Sequence, residues 1–340
     1  MTKKGKAYAR AGVDVDLGNK LKHGIQSLVR QTHGPQVLGK IGGFGGLFRG
    51  SFPGMRDPVL VASVDGVGTK LKIAFAMDKH DTVGMDLVNH CVDDIAVLGA
   101  RPLFFLDYIG CERLEARVFQ QLLRGFSRAC RGAGCALLGG ETAQMPGMYR
   151  KGEYDLAGCI VGVVDRMKII DGNKIKPGDV VLGLASNGLH TNGYSLARKI
   201  VFEKMRLKPN SPLFGSTITV GEELLRVHKN YQPLLAKVSV GVIKGLAHIT
   251  GGGLIDNLPR ILPSNCDAVL ETKSWRVPSI FQILQKNGNV DTQEMYQVFN
   301  MGIGMVAIVA ERNASSTMSV LRAKRIGRIE PGSGRVRLKF

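Results

Sequence analysis

The chain has 340 residues, 44% of them hydrophobic, and a formal net charge of +18 from 46 Lys and Arg against 28 Asp and Glu. That length suits two domains of ordinary size with sizeable cores, and the composition excludes a disordered or collagen-like chain. No apolar run approaches the ~20 residues that span a bilayer, and six cysteines without a CxxC pair argue against zinc and against a disulfide scaffold.

The opening "MTKKGKAYARAG" is basic and carries no apolar segment, so no secretory signal is expected and a cytoplasmic setting is. Residues 1–40 hold eight Lys and Arg against two Asp, and residues 321–340 hold seven against one Glu. Such charge suits nucleic acid or small polyanions such as nucleotides and sugar phosphates. The basic residues spread beyond the termini and no RRM, KH or zinc motif appears, which argues against nucleic acid.

Strand-like and helix-like segments then alternate. "GKIGGFGGLF" (39–48) places Gly42, Gly43, Gly45 and Gly46 in a loop whose free N–H groups can meet an anion or which can act as a lid. "DPVLVASVDGVGTKL" predicts a strand ending at Asp65, then a glycine turn leading into Thr69 and Lys70. An acid, a hydroxyl and an amine at one strand end can hold magnesium and phosphate together; a tight turn with a capping Asp explains the same letters.

"DTVGMDLVNHCVDDIAVLG" predicts a helix stopped at Gly99. At about 100° per residue, Leu87, Val88, Cys91, Val92, Ile95 and Leu98 form its apolar face. Asp86, His90 and Asp93 lie opposite, and Asp94 falls on the border. A border carboxylate is half desolvated and wants a cation or donors.

"PLFFLDYI" predicts a buried strand, and "EARVFQQLLRGFSRACRGAG" a helix ending at Gly132 or Gly134. "CALLGGETA" predicts a short strand entering a loop, with Glu141 directly after a glycine pair as a further oxygen ligand beside Asp65 and Asp94. "YDLAGCIVGVVD" predicts the next strand. A turn-rich segment follows, and the domain boundary is placed within 166–178, dividing 1–170 from 171–340.

In the second half "DVVLGLAS" and "FNMGIGMVAIVA" predict strands. "NGLHTNG" predicts a loop before a helix, carrying His190, Thr191 and Asn192 where N–H groups point at an anion. "AHITGGGLIDNLPRIL" carries His248 and a glycine triplet into another helix. Gly302, Gly304 and Ala307 spell GxGxxA inside a strand-like run, a chance match to a dinucleotide motif. The whole predicts a two-domain α/β (α+β) chain with function in its glycine loops.

Taken together, "GGFGGLF", "DGVGTKLKIA", "GGETAQMPGMY", "NGLHTNGYSLARKI" and "HITGGGLIDNLPRILP", with DxxxxGAxP intact as Asp94, Gly99, Ala100 and Pro102, resemble the phosphoribosylformylglycinamidine cyclo-ligases, from about Tyr8 to Arg337. The resemblance implies an N-terminal ATP-binding α/β domain whose strands join a dimer-related β-barrel, a C-terminal α/β domain, and a site in the cleft between them. It also implies the ATP-dependent closure of formylglycinamidine ribonucleotide to 5-aminoimidazole ribonucleotide in purine biosynthesis, with ADP and phosphate released.

On that basis Asp65, Asp94 and Glu141 are expected to hold Mg²⁺–ATP, Lys70 and Thr69 to face phosphate, and His190 with Asn192 to meet the reacting substrate. Gly99 belongs to the nucleotide signature, the 42–46 loop closes over ligand, and His248 lines the second domain. A homodimer is expected. Rivals are a related small-molecule kinase, such as a thiamine-phosphate kinase, and a selenophosphate synthetase, the latter disfavoured by the lack of a reactive Cys near the start. Asp93 stands where the resembled family usually has Asn, Gln144 and Arg101 where it usually has Glu, Met301 where some members have Cys, and Gln26 where many have Lys.

Overall fold

The computed structural model describes residues 7–39, 41–213 and 217–340. The basic residues at 3, 4 and 6 and Lys40 of the glycine loop therefore lie outside the described residues. Two sheets dominate. Strands β1 (Val37–Leu38) and β2 (Leu47–Phe48) form only a small hairpin that carries the glycine loop. Phe44 at its tip is fully exposed.

The first large sheet joins β3 (Pro58–Gly66), β4 (Arg101–Cys111), β5 (Ala136–Gln144) and β6 (Tyr154–Asp165) in the order β3-β6-β4-β5. Only the β4–β5 pair is parallel, and the helix Ala116–Ala133 makes its crossover. That helix stops at Gly134 in the left-handed conformation, as its sequence predicts.

The second sheet joins β7 (Val180–Ala185), β8 (Ile243–His248), β9 (Cys266–Glu271), β10 (Ile303–Val309), β11 (Lys324–Pro331) and β12 (Val336–Lys339) in the order β12-β9-β11-β7-β10-β8. β7 and β10 are buried along nearly their whole length, which explains their unbroken apolar runs. Gly302 and Gly304 belong to this strand and its approach, and no helix follows within the motif.

The helix Asp81–Ala96 positions the site. Its apolar residues pack on the first sheet, with Leu87, Val88, Cys91 and Val92 fully buried. It meets the Ala116–Ala133 helix closely, because a Cβ on Gly84 would lie 2.6 Å from the Leu122 carbonyl oxygen and one on Gly125 2.3 Å from that of Asp81.

Its polar face departs from the simple amphipathic expectation. Asp86, His90 and Asp93 are not solvated; all three are buried. They are covered by the segment around His228 and by the loop around His190, both from the second half of the chain. Asp86 Oδ1 accepts from the His228 N–H at 2.6 Å, Asn89 donates to the His228 carbonyl at 2.7 Å, and Asp93 Oδ1 accepts from the Tyr231 N–H at 2.8 Å. The polar face is a set of sockets for backbone groups that would otherwise be buried without partners.

The opposite face of the first sheet is open. Leu60 and Val64 on β3 are 63% and 70% exposed, and Tyr108 on β4 is 36% exposed. No closed barrel occurs among the described residues.

Candidate active site between the two domains

Asp65 is the last residue but one of β3, and the neighbouring Gly66 N–H donates back to its Oδ1 at 2.6 Å. The other oxygen lies 2.7 Å from His90 Nε2. Asp94 Oδ2 accepts from the Ser63 hydroxyl at 3.2 Å, and its Oδ1 lies 2.8 Å from His248 Nδ1. The border carboxylate is thus held by a serine hydroxyl of β3 and by a histidine 154 positions away.

Both carboxyls remain partly open to solvent, with side-chain exposures of 40% and 26%. Burial opposes ionisation of each. It is the largest influence on each, but at Asp65 the His90 contact, the Gly66 N–H and the His248 charge together outweigh it. At Asp94 the His248 contact and the His90 charge together do so, and both carboxyls are held below their ordinary value of 3.8. The result is a pair of ionised, partly exposed oxygen donors.

The two acids are ends of one network. His90 Nδ1 lies 2.7 Å from the Thr191 hydroxyl, that hydroxyl 3.2 Å from His228 Nδ1, and His228 Nε2 3.0 Å from His248 Nε2. Every link after His90 crosses between the halves of the chain or lies within the second.

His190 sits among these rings, 4.2 Å between centroids from His228 and 6.1 Å from Tyr231. It is buried, its backbone φ is +62°, and neither ring nitrogen has a hydrogen-bond partner. Burial pushes its imidazole well below the ordinary histidine range, so it is neutral. A Cβ on Gly304 would lie 2.5 Å from His190 Cε1 and 2.2 Å from Tyr231 Oη, so the glycine of β10 leaves the room this ring occupies.

Lys70 corrects an expectation. Its side chain is fully buried and contacts the Asp86 carboxylate at 2.8 and 2.9 Å, the His190 carbonyl at 2.9 Å and the Arg226 carbonyl at 2.7 Å. Three N–H donors are thereby used, and none is left to face phosphate. Burial pushes the ammonium down and the Asp86 carboxyl up, while their contact opposes both shifts. Thr69, next to it, is exposed with its hydroxyl 3.1 Å from that of Ser195.

Glu141 is also placed apart. Across the sheet, Asp65 pairs with Gly158, Gly158 with Asp107, and Asp107 with Gly140. Glu141 is one step on, opposite Tyr108, so it belongs to the other face. It is exposed, and its Oε1 accepts from the adjacent Thr142 N–H. Gln144 is structural, its amide accepting from the Leu114 N–H and donating to the Asp14 carbonyl. The second contact requires an N–H, which a glutamate carboxylate does not supply.

Gly99 takes φ +78° where the helix turns into β4, and a Cβ there would lie 3.1 Å from the Lys168 carbonyl oxygen, a turn requirement independent of nucleotide. Asn192 faces the glycine triplet, its Oδ1 3.4 Å from where a Cβ of Gly251 would stand. Gly42, Gly43, Gly45 and Gly46 lie on the exposed hairpin loop; a Cβ on Gly46 would strike Leu138. His228 carries no motif and was missed from the sequence. Its partners are 20 to 142 positions away, and no local pattern announces it.

Fold and site define a two-domain protein of the AIR synthase related class. The family described as AIR synthase related protein, N-terminal domain, matches residues 55–164, and its C-terminal counterpart matches residues 176–339. The phosphoribosylformylglycinamidine cyclo-ligase of Syntrophotalea carbinolica is 54% identical over 312 residues, covering 92% of this chain and 89% of that protein. That of Trichlorobacter lovleyi is 52% identical over 322 residues, with 94% and 92% covered. The chain belongs to the phosphoribosylformylglycinamidine cyclo-ligase family.

A thiamine-monophosphate kinase from Stenotrophomonas maltophilia superposes with a TM-score of 0.70 at 17% identity, covering 93% of this chain and 95% of that one. The hydrogenase maturation protein HypE in complex with ATP superposes with a TM-score of 0.66 at 19% identity, covering 93% and 90%. These likenesses concern the fold alone. No helix among the described residues is long and apolar enough to cross a membrane.

Proposed function

We propose that the chain closes the ring of formylglycinamidine ribonucleotide to 5-aminoimidazole ribonucleotide, using ATP and releasing ADP and phosphate. The observation that carries this reading is the pair of partly exposed, ionised carboxylates, Asp65 and Asp94, held by histidines at the junction of two AIR synthase related domains. Family membership supplies the reaction.

The formamide oxygen attacks the γ-phosphorus, and ADP leaves. An amidine nitrogen then attacks the activated carbon and loses a proton, and phosphate departs. The protein's task is to position and neutralise charge.

Asp65 and Asp94 suit magnesium, since they are charged oxygen donors with open faces and spare lone pairs. They would hold Mg²⁺–ATP, where the ion would neutralise phosphate oxygens. Ser63 and His248 fix the Asp94 carboxylate and His90 fixes Asp65. Thr69 and Ser195 offer hydroxyls from opposite halves of the chain to phosphate. The neutral, unpartnered His190 and the adjacent Asn192 meet the formyl end of the substrate, and the glycine hairpin covers the ligand.

We assign the first domain to residues 1–170 and the second to 171–340; the two sheets end and begin on either side of that division. The open sheet face pairs with a second copy to complete a barrel, because exposed Leu60, Val64 and Tyr108 would otherwise leave an apolar surface in water. Glu141 lies on that face, so a second copy is the route by which it would reach a metal. Replacing Leu60 and Val64 together by Glu is expected to convert a dimer to a monomer in sedimentation experiments. A monomeric native protein would end the dimer reading.

The function is tested with purified protein, formylglycinamidine ribonucleotide, ATP and Mg²⁺. Aminoimidazole ribonucleotide and ADP are expected in equal amounts. ADP without ring closure, or neither product, would overturn the assignment.

A further inference from the structure

A second convergence lies behind the carboxylate pair. Asp93 is fully buried, and its Oδ1 accepts from the N–H groups of Tyr231 and Gln232 at 2.8 and 3.3 Å. Its Oδ2 has no hydrogen-bond partner and lies 3.7 Å from His228 Nε2. His228 Nε2 is in turn 3.0 Å from His248 Nε2, and both rings are buried. The three ligand atoms lie within 4.8 Å of one another.

The far side of each ring is already committed. His248 Nδ1 is held by Asp94 at 2.8 Å, and His228 Nδ1 by the Thr191 hydroxyl at 3.2 Å. An imidazole that donates its Nδ1–H to a carboxylate presents a bare lone pair at Nε2, which is how metal-ligating histidines are oriented. One proton shared between the two Nε2 atoms would satisfy the rings. It would leave Asp93 Oδ2 buried with neither donor nor cation, and burial accordingly pushes this carboxyl well above its ordinary value of 3.8; a bound cation is what would hold it ionised here. A dication at the shared point uses all three groups. Zinc ligands at ~2.0–2.1 Å in a tetrahedral arrangement stand roughly 3.3 Å apart; two of the three pairs here stand 3.0 and 3.7 Å apart and the third within 4.8 Å.

We propose that Asp93, His228 and His248 form a buried site for a borderline divalent transition-metal ion, zinc above all. Two imidazoles and one carboxylate suit zinc, cobalt or nickel rather than magnesium or calcium, which take oxygen ligands. Asp93 comes from the helix on the first sheet, and the two histidines from the second half, so the ion clamps the halves together. It also fixes His248 against Asp94. The site shares no ligand oxygen with the Asp65–Asp94 pair. The proposal does not rest on the nucleotide reading, since the ion is detected without substrate.

The test uses the untagged full chain, grown with zinc and dialysed, with metal content measured by plasma mass spectrometry. About one equivalent of zinc per chain is expected. Its removal by a chelator lowers the melting temperature, and zinc restores it in the presence of excess Mg²⁺. Cobalt added to the stripped protein gives the visible absorption of a tetrahedral site. Asp93→Asn keeps the Oδ1 acceptor for Tyr231 and Gln232 but removes the ligand charge, and its cobalt affinity falls at least ~10-fold. Melting of the stripped variant controls for folding, and His228→Asn serves if it does not fold. Wild-type protein that retains no zinc and gives no cobalt spectrum overturns the site. So does a folded Asp93→Asn with undiminished affinity.

Discussion

Asp94→Ala is expected to abolish ATP-dependent ring closure while leaving a folded protein. The loss in kcat/KM is about 10³-fold, equivalent to ~4 kcal/mol of transition-state stabilisation, the scale of removing a metal's grip on transferring phosphate. Stability should fall by only ~1–2 kcal/mol, because the carboxylate is partly exposed and loses hydrogen bonds to Ser63 and His248. Asp94→Asn separates the two effects. Its amide oxygen still accepts from one neighbour, so stability recovers, but the charge is gone and activity stays low. Steady-state kinetics on both variants, with circular dichroism to confirm folding, decide the matter. Full activity in Asp94→Ala would remove Asp94 from the nucleotide site.

How much of this was legible differs residue by residue. The helix 81–96 follows from period and glycine stop, because apolar spacing is a local property. Its polar face was placed opposite the apolar one, but nothing local said that it is buried. What covers it is the backbone of residues 228–232, whose approach depends on how two halves pack. Helical periodicity holds no information about a surface arriving from far along the chain.

Glu141 shows a second limit. A glycine pair at a strand end suggests a loop, yet β5 continues to Gln144, and which face Glu141 takes is set by register and by the irregularity after Phe105 on β4. Strand parity flips with a one-residue slip, so a site residue near a bulge is beyond sequence reasoning. Lys70 shows a third. An amine after a glycine turn looks like a phosphate ligand, and only the fold reveals a buried acid, Asp86, 16 positions on. By contrast the sequence pointed to Asp65 and Asp94 as neighbours, because each combined a strand or helix end with a charge that has no local partner, and the network through His90 and His248 joins them; their hold on a nucleotide belongs to the proposal.

The reassignment of Lys70 carries a prediction with a sign opposite to the phosphate reading. Lys70→Met leaves Asp86 buried without its cation and frees the carbonyls of His190 and Arg226. Breaking a buried pair by deleting one partner costs about 3–5 kcal/mol, mostly for the charge left behind. Denaturant unfolding of Lys70→Met should show a loss of that size. Adding Asp86→Asn removes the stranded charge and keeps an oxygen for the His228 N–H, so the double variant should regain most of the lost stability. Neither variant should regain full activity, because the His190 loop loses the ammonium that holds its carbonyl. If Lys70 instead faced phosphate, Lys70→Met would fold with native stability and a raised KM for ATP, and Asp86→Asn would bring no rescue. Two unfolding curves and one saturation curve separate a strut between domains from a substrate ligand.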